Sequence, residues 1–259
     1  MPVDSEAPAE TQKRAKIADE FAAPLKGLAK GIMLGGSMGY GQNYSVNPGS
    51  DIDCVIVIDP SALPKMAQLT FFSSIPASAQ KLFAEGNLSF IHISDLIDGV
   101  PMNTFVYNAE QYVDFCLAQE GLTGFALRHP TRTQKAWKFD GTQIMFDRDV
   151  RPVQGGFLYD KPALFEGKYF GAVPRQDFFN SGQVLHQQNG FFRELEPRVW
   201  RKTIELLVAE HGPNPNLSRT NILNTHFTYQ KEPDRLPNSV ITRINERTFA
   251  EIEDYLRTK

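Results

Sequence analysis

The sequence predicts an α/β (α+β) protein, in which strands alternate with helices over the first part of the chain and helices dominate the last part. Two apolar runs, Gly31–Leu34 and Cys54–Ile58, have the composition of short buried strands. Two further runs, Leu88–Asp95 and Val100–Tyr107, flank a short turn and predict a β-hairpin. Beyond residue 175, apolar residues recur at the three- and four-residue spacing that is typical of helices.

Three helical segments are predicted around these strands. Glu10–Ala29 has an apolar stripe and precedes the first strand. Ser61–Glu85 separates the second strand from the hairpin, with a break near Ile75-Pro76, because proline removes a helical hydrogen bond. Asn108–Gln119 follows the hairpin and carries apolar residues on one face.

A loop rich in Gly and Pro, Pro152–Pro174, is predicted to divide the chain into two regions, residues 1–155 and residues 175–259. The first region ends in a second predicted hairpin, formed by Trp137–Phe139 and Gln143–Phe146. The second region is predicted to be mainly helical, over the segments Gln176–Glu210, Leu217–Phe227 and Ser239–Arg257.

The composition favours a cytoplasmic protein without a membrane anchor. Of the 259 residues 41% are apolar, which can supply a core, yet no apolar run approaches the ~20 residues of a membrane span. The N-terminus lacks the basic start and apolar stretch of a secretion signal. Cys54 and Cys116 are predicted to be core thiols. A net charge of −3 argues against a protein whose main task is to bind nucleic acid.

Asp51 and Asp53 stand at the start of the apolar strand Cys54–Ile58. Side chains alternate between the two faces of a strand, so residues two apart point to the same spot. Two carboxylates at one spot repel each other and are costly to desolvate unless a cation lies between them. Oxygen ligands favour Mg²⁺, which usually completes its shell with water and substrate phosphates. The pair therefore predicts a magnesium site for nucleotide chemistry.

The glycine-rich segment before the pair is compatible with three interpretations. In the first, the glycines belong to an ordinary loop, and Asp51 and Asp53 are solvated. In the second, a dinucleotide-binding βαβ unit begins there, with Asp59 as the ribose-binding acid about 20 residues after the glycines. The glycine order, Gly36-x-x-Gly39-x-Gly41, and the short interval before the next strand count against this unit. The third interpretation is a phosphate cradle, and a family resemblance favours it.

The segments Gly35-Gly36-Ser37 and Ser50-Asp51-Ile52-Asp53 together resemble the signature of the polymerase-beta-like nucleotidyltransferase superfamily. That signature is an apolar strand, a Gly-Gly/Ser turn, a short helix and then Asp-apolar-Asp/Glu on the next strand. The resemblance implies a nucleotidyltransferase-type mixed sheet flanked by helices over residues 1–155. It also implies that the helical region, residues 175–259, closes over the nucleotide and supplies the acceptor site.

The same resemblance implies roles for the motif residues. The amides of Gly36 and Ser37 and the Ser37 hydroxyl would hold the β- and γ-phosphates of a nucleoside triphosphate, helped by the N-terminus of the following helix. Asp51 and Asp53 would hold the Mg²⁺. The implied nucleotide-binding residues are Gly35, Gly36, Ser37 and Ser50.

Enzymes of this superfamily usually place a third acid on a later strand, next to the metal pair. In this chain the matching strand is Val100–Tyr107, and the residue that fits best is Asn103, which is not an acid. Its carbonyl oxygen can coordinate a metal, but the amide accepts no proton near neutral pH. The predicted catalytic set is Asp51, Asp53 and Asn103, with Asp95 as the alternative third ligand.

These observations predict a metal-dependent nucleotidyltransferase that moves a nucleoside monophosphate from an NTP, with ATP expected, to an acceptor hydroxyl. The mildly acidic composition slightly favours a small molecule or a protein over an RNA end as the acceptor. One alternative is a catalytically degenerate nucleotide-binding module with a regulatory role, because Asn103 replaces an acid. A less favoured alternative is a dinucleotide-binding oxidoreductase.

Overall fold

A computed structural model describes the fold over residues 7–35, 38, 46–118, 124–128, 150–153, 156–159, 183–195, 197–198, 201, 205, 250 and 253–258. Within these residues a mixed β-sheet and several helices form an α+β fold, which confirms the predicted class at that level. The segments predicted at Trp137–Phe139, Gln143–Phe146 and Leu217–Phe227 lie outside the described residues.

The strands of the described chain form one sheet. In chain order they are β1 Ala29–Gly35, β2 Ile52–Ile58, β3 Phe90–Ile97, β4 Val100–Asn108, β5 Gly124–Arg128, β6 Val150–Val153, β7 Gly156–Tyr159 and β8 Gln183–Gln187. Across the sheet their order is β6-β7-β5-β3-β4-β2-β1-β8. Strand β2 is antiparallel to β1 and parallel to β4, and β3 is antiparallel to β4. The sheet is therefore mixed, and β2 is an interior strand between β4 and β1.

Two sequence predictions about the sheet are confirmed. The apolar run Cys54–Ile58 is a buried central strand, since each of its residues is at most 2% exposed. The predicted hairpin is formed by β3 and β4, which are joined by Asp98 and Gly99 with φ angles of 51° and 76°. Positive φ at both central residues is the geometry of the two-residue turn that fits the twist of a hairpin. Asp98 thus serves the backbone of the turn.

The first helix, α1, spans Ala7–Ala22 and is followed by a 3-10 turn at Ala23–Leu25. The predicted helix Glu10–Ala29 is therefore wrong at its C-terminal end, and β1 already begins at Ala29. Pro24 explains the difference, because proline inside an α-helix removes a backbone hydrogen bond and clashes with the preceding turn. The remaining described helices before β5 are Leu63–Met66, Ala77–Ala84 and Ala109–Ala118, with 3-10 turns at Pro60–Ala62 and Thr70–Phe72.

Two predictions for the second half of the chain need correction. Strand β8 lies inside the segment Gln176–Glu210 that was predicted to be helical, and it pairs antiparallel with β1. Strand β7 lies inside the predicted loop Pro152–Pro174 and pairs with β5 and β6. Both are short strands whose pairing partners, not their local pattern, determine their conformation. Helical residues follow at 191–195, 197–198, 201, 205, 250 and 253–257, and the division into two domains stays a prediction.

Both faces of the central sheet are buried. On one face, β1 and β2 share an apolar core with α1, formed by Ile17, Ala18, Ala22, Ile32, Leu34, Cys54, Ile56 and Ile58. On the other face, the strands contribute the buried side chains Met33, Val55, Val57, Phe90 and His92. Burial on both sides explains why the sequence of β2 is continuously apolar. None of the helices in the described parts of the chain has the length and apolar content of a membrane span.

Gly31 of β1 is the position where the segment after β8 packs against the sheet. A Cβ atom at Gly31 would lie 2.4 Å from Cε2 and 2.5 Å from Cζ of Phe192, whose ring is buried. Because real Cβ atoms do not approach other atoms so closely, any larger residue at Gly31 would displace the ring. The absence of a side chain at Gly31 therefore allows Phe192 to cover the second face of the sheet.

Gly31→Ala is expected to lower the free energy of unfolding by about 1 to 3 kcal/mol, since overpacking forces rings and backbone to shift. Urea denaturation followed by circular dichroism would measure the change. The added cost of Gly31→Ala should shrink in a Phe192→Ala background, where the clash is gone. Gly27→Ala is the matched control, because a Cβ at Gly27 meets nothing within 4 Å. Equal costs of Gly31→Ala in both backgrounds would contradict this account.

Candidate functional site

The side chains of Asp51, Asp53 and Asn103 meet where β2 and β4 begin to pair. Asp53 and Asn103 are register partners on these parallel strands, and Asp51 precedes β2 by one residue. The Nδ2 of Asn103 donates to Asp51 Oδ2 at 2.7 Å and to Asp53 Oδ1 at 3.4 Å. Asn103 is 2% exposed, whereas both aspartates are half-buried. The prediction that Asp51 and Asp53 point to one spot is confirmed, because both carboxylates reach one amide.

Ser94 is a member of this cluster that the sequence reasoning missed. It is the register partner of Asn103 across the hairpin, and its Oγ donates to Asn103 Oδ1 at 2.8 Å. The hydrogen bond holds the amide with its NH₂ group toward the aspartates. The turn residues contained the signal, because a two-residue turn pairs Ile97 with Val100 and counting back from that pair places Ser94 opposite Asn103.

Asp95, the alternative third ligand, lies on the other face of the sheet. Its register partner is Met102, and its Oδ1 accepts a hydrogen bond from the Leu96 amide at 2.7 Å. Neighbouring residues of a strand point to opposite faces, so Asp95 points away from the face on which Ser94 and Asn103 meet. Asn103 is therefore the residue of β4 and β3 that contacts both carboxylates.

The predicted phosphate cradle is described only in part. Gly35 is the buried last residue of β1 and is the register partner of Asp53, so β1 ends beside the carboxylate pair. Gly36 and Ser37 lie outside the described residues. Ser50 shapes the turn before Asp51, since its Oγ accepts a hydrogen bond from the Asn47 amide at 3.1 Å. Its hydroxyl hydrogen is still available to donate.

Arg14 connects helix α1 to the turn that carries the first aspartate. Its Nε donates to the carbonyl of Ser50 at 2.9 Å, its Nη2 to the carbonyl of Pro48 at 3.0 Å, and its Nη1 to the carboxylate of Glu10. The side chain is 1% exposed. The sequence analysis missed this role, although Arg14 stands on the apolar stripe of α1, three residues before Ile17, and a charge in such a stripe needs buried partners.

Aromatic side chains lie beside the cluster on the same face of the sheet. The ring of His92 stacks on that of Phe105 with centroids 4.3 Å apart and planes within 4°. Phe105 follows Asn103 by two residues on β4, and His92 precedes Ser94 by two residues on β3. His92 is 2% exposed, whereas Phe105 is partly exposed. The polar cluster is therefore bordered on this face by two stacked rings.

Cys54 follows Asp53 and is fully buried on the opposite face. Burial raises the pKa of the Cys54 thiol well above its ordinary range, and the negative charge of Asp53 raises it further. The thiol therefore stays protonated at neutral pH and is no nucleophile. The prediction of a core thiol is confirmed for Cys54, while the side chain of Cys116 lies outside the described residues.

The side chains of this site match the ligands that Mg²⁺ prefers. Asp51 and Asp53 offer two carboxylates, and Mg²⁺ bound to proteins commonly uses one or two carboxylates together with water and phosphate oxygens. The amide of Asn103 carries a third oxygen, which in this structure accepts a hydrogen bond from Ser94 Oγ. Asp51 and Asp53 are both partly exposed. Within the residues that the structure describes, no group of three or more His, Cys, Asp or Glu side chains offers a different metal site.

The glycine-rich segment joins two antiparallel strands, β1 and β2. A dinucleotide-binding βαβ unit has parallel strands, with a helix in the crossover connection. The interpretation of these glycines as a dinucleotide-binding loop is therefore wrong. Asp59, which that interpretation assigned to a ribose, forms an ion pair with Lys30 at 2.9 Å. It lies just beyond the end of β2 that is opposite the cluster.

Comparison with the chain finds no matching family model and no match among curated proteins. The function must therefore be inferred from the chemistry of the site.

Proposed function

We propose that this protein is a Mg²⁺-dependent nucleotidyltransferase of the polymerase-beta-like type, which transfers a nucleoside monophosphate from an NTP to an acceptor hydroxyl. ATP is the expected donor, and a small molecule or a protein is favoured over an RNA end as the acceptor. The observation that carries the proposal is the convergence of two carboxylates, since Asp51 Oδ2 lies 2.7 Å and Asp53 Oδ1 lies 3.4 Å from the same nitrogen, Nδ2 of Asn103. These residues come from two paired strands, next to the end of the strand that enters the glycine-rich turn.

Asp51 and Asp53 would hold the metal ion, and the oxygen of Asn103 would become a third ligand only if the amide turned toward them. Mg²⁺ bound there would neutralise negative charge on the reacting phosphate and on the departing pyrophosphate. Gly35 ends β1 directly across from Asp53, so phosphates held by the following turn would lie beside the carboxylate pair.

In the proposed reaction the oxygen of the acceptor hydroxyl attacks the α-phosphorus. The bond from that phosphorus to the bridging oxygen breaks, and pyrophosphate leaves with the electron pair. Asn103 takes no proton at neutral pH, so a carboxylate of the pair or a water molecule accepts the hydroxyl proton. The stacked rings of His92 and Phe105 border the cluster on the same face of the sheet, and a lower local dielectric there would strengthen its electrostatic interactions.

The proposal is tested by incubating the protein with each α-³²P-labelled NTP and Mg²⁺, alone and with cell lysate, total tRNA or a panel of small hydroxyl compounds. Label is expected to enter an acceptor with the wild-type protein and not with the Asp51→Ala/Asp53→Ala double variant. Asp59→Ala, just beyond the other end of β2, is the matched control and should retain transfer. Absence of both transfer and Mg²⁺-dependent NTP binding in the wild type would contradict the proposal.

A second candidate is a degenerate nucleotide-binding module that senses or regulates. It is favoured by one observation, namely that the NH₂ group of a neutral side chain, Asn103, bridges the carboxylates at the position where the superfamily usually has an acid. Mg²⁺-dependent NTP binding without release of pyrophosphate would support this candidate over the transferase.

A further inference from the structure

The Asn103 amide presents its NH₂ group, and not its oxygen, to the two aspartates. Its NH₂ group faces Asp51 and Asp53, and its carbonyl oxygen accepts the hydrogen bond from Ser94 Oγ at 2.8 Å. An NH₂ group offers two hydrogens, so it can satisfy two carboxylates at once and reduce their mutual repulsion. A cation between the same carboxylates would be repelled by the partial positive charge of these hydrogens. An amide oxygen in the same place could instead coordinate the cation.

Ser94 fits either orientation of the amide. A hydroxyl group carries one donor and two acceptor lone pairs, so Ser94 can give a hydrogen bond to the amide oxygen or accept one from the amide nitrogen. A half-turn about the Cβ–Cγ bond of Asn103 exchanges oxygen and nitrogen with little change in shape. Ser94 and Asn103 are 3% and 2% exposed, so their contact lies within the protein interior.

We propose that Ser94 and Asn103 form a metal-responsive pair. Without metal, the Asn103 NH₂ group bridges the two aspartates and Ser94 donates to the amide oxygen. When Mg²⁺ binds, the amide turns, its oxygen becomes a metal ligand, and Ser94 accepts from the NH₂ group. Ser94 is then a positioning residue that acts through Asn103. The proposal rests on the proposed function, since it concerns the same metal site.

Mn²⁺ serves as the probe. The full-length protein is titrated with Mn²⁺, and electron paramagnetic resonance measures the concentration of free Mn²⁺. Ser94→Ala is expected to weaken Mn²⁺ affinity by about 10- to 100-fold, the usual effect of removing a partner that orients a metal ligand. Ser94→Thr, which keeps the hydroxyl, should restore affinity to near the wild-type value. Ser89→Ala is the matched control, because Ser89 is also buried but lies just before β3.

A spectroscopic measurement follows the amide directly. The side-chain NH₂ signal of Asn103 in ¹⁵N-labelled protein is assigned by its absence in Asn103→Asp. Saturating Mg²⁺ is expected to shift this signal, because the NH₂ group exchanges two carboxylates for a hydroxyl. The variant Asn103→Asp replaces two hydrogen-bond donors with a third negative charge. In EDTA it is therefore expected to melt at a lower temperature than the wild type. Mg²⁺ should raise the melting temperature of this variant by more than it raises that of the wild type.

Equal Mn²⁺ affinity of Ser94→Ala and the wild type, or an Asn103 signal that saturating Mg²⁺ does not move, would overturn this inference and leave the proposed function standing. A wild-type protein that binds neither Mn²⁺ nor Mg²⁺ would overturn both. Because the Ser94 variants and the wild-type amide signal do not depend on Asn103→Asp, the test stands even where that variant fails to fold.

Discussion

Asp51→Asn and Asp53→Asn are each expected to lower nucleotidyl transfer by about 100- to 1,000-fold or more, because each removes half of the negative charge that holds the metal against the reacting phosphates. The fold should remain, with a free energy of unfolding within about 1 kcal/mol of the wild-type value. The neutral side chain relieves the repulsion between the two carboxylates and keeps an oxygen that accepts from Asn103. Label transfer measures the first effect and urea denaturation the second.

Asp59→Asn is the control for these variants. Asp59 follows the other end of β2, is exposed, and pairs with Lys30, so its loss should affect neither readout strongly. A decrease of several kcal/mol in the metal-free stability of Asp51→Asn would contradict the proposal, because it would show that this carboxylate stabilises the fold instead of serving a metal.

Arg14→Met is expected to cause the largest loss of stability, about 3 kcal/mol in the free energy of unfolding. The substitution keeps the volume of the buried side chain but removes the donors to the carbonyls of Pro48 and Ser50 and to the carboxylate of Glu10. These acceptors then lose a charged partner within the protein. Urea denaturation followed by circular dichroism would give the change.

The same variant should also weaken Mn²⁺ binding, because the turn that Arg14 holds leads directly into Asp51. Lys16→Met is the matched control on the same helix. Its side chain is 76% exposed and pairs with Glu20 at 3.8 Å, so it should cost less than about 0.5 kcal/mol. If Arg14→Met cost no more than Lys16→Met, the turn would be held by other interactions and this account of Arg14 would be wrong.

The sequence was sufficient for features that depend on local patterns. The apolar run of β2, the Asp98-Gly99 turn and the alternation of Asp51 and Asp53 each follow from short-range geometry, and each is found in the structure. Even the contact between Ser94 and Asn103 followed from counting back along the hairpin, although the sequence analysis did not take that step.

Features that depend on distant parts of the chain could not be predicted in this way. The residues of β8 carry no clear strand pattern, and only their pairing with β1 makes them extended. The place of Arg14 on the apolar stripe of α1 indicates that it has buried partners, but not that these partners are the carbonyls before Asp51. Gly31 likewise has the local sequence of an ordinary strand glycine, because the ring that packs against it, Phe192, is distant in sequence.

The parallel pairing of β2 with β4 has a consequence for the order of folding. The hairpin of β3 and β4 is local and belongs to a class of structure that forms in about 1 to 10 μs, whereas Asp53 and Asn103 are 50 positions apart. Closing that loop costs chain entropy before any contact repays it. We therefore expect Asp51 and Asp53 to remain hydrated and mutually repelling until the finished hairpin docks, so that completion of the site marks a late stage of folding.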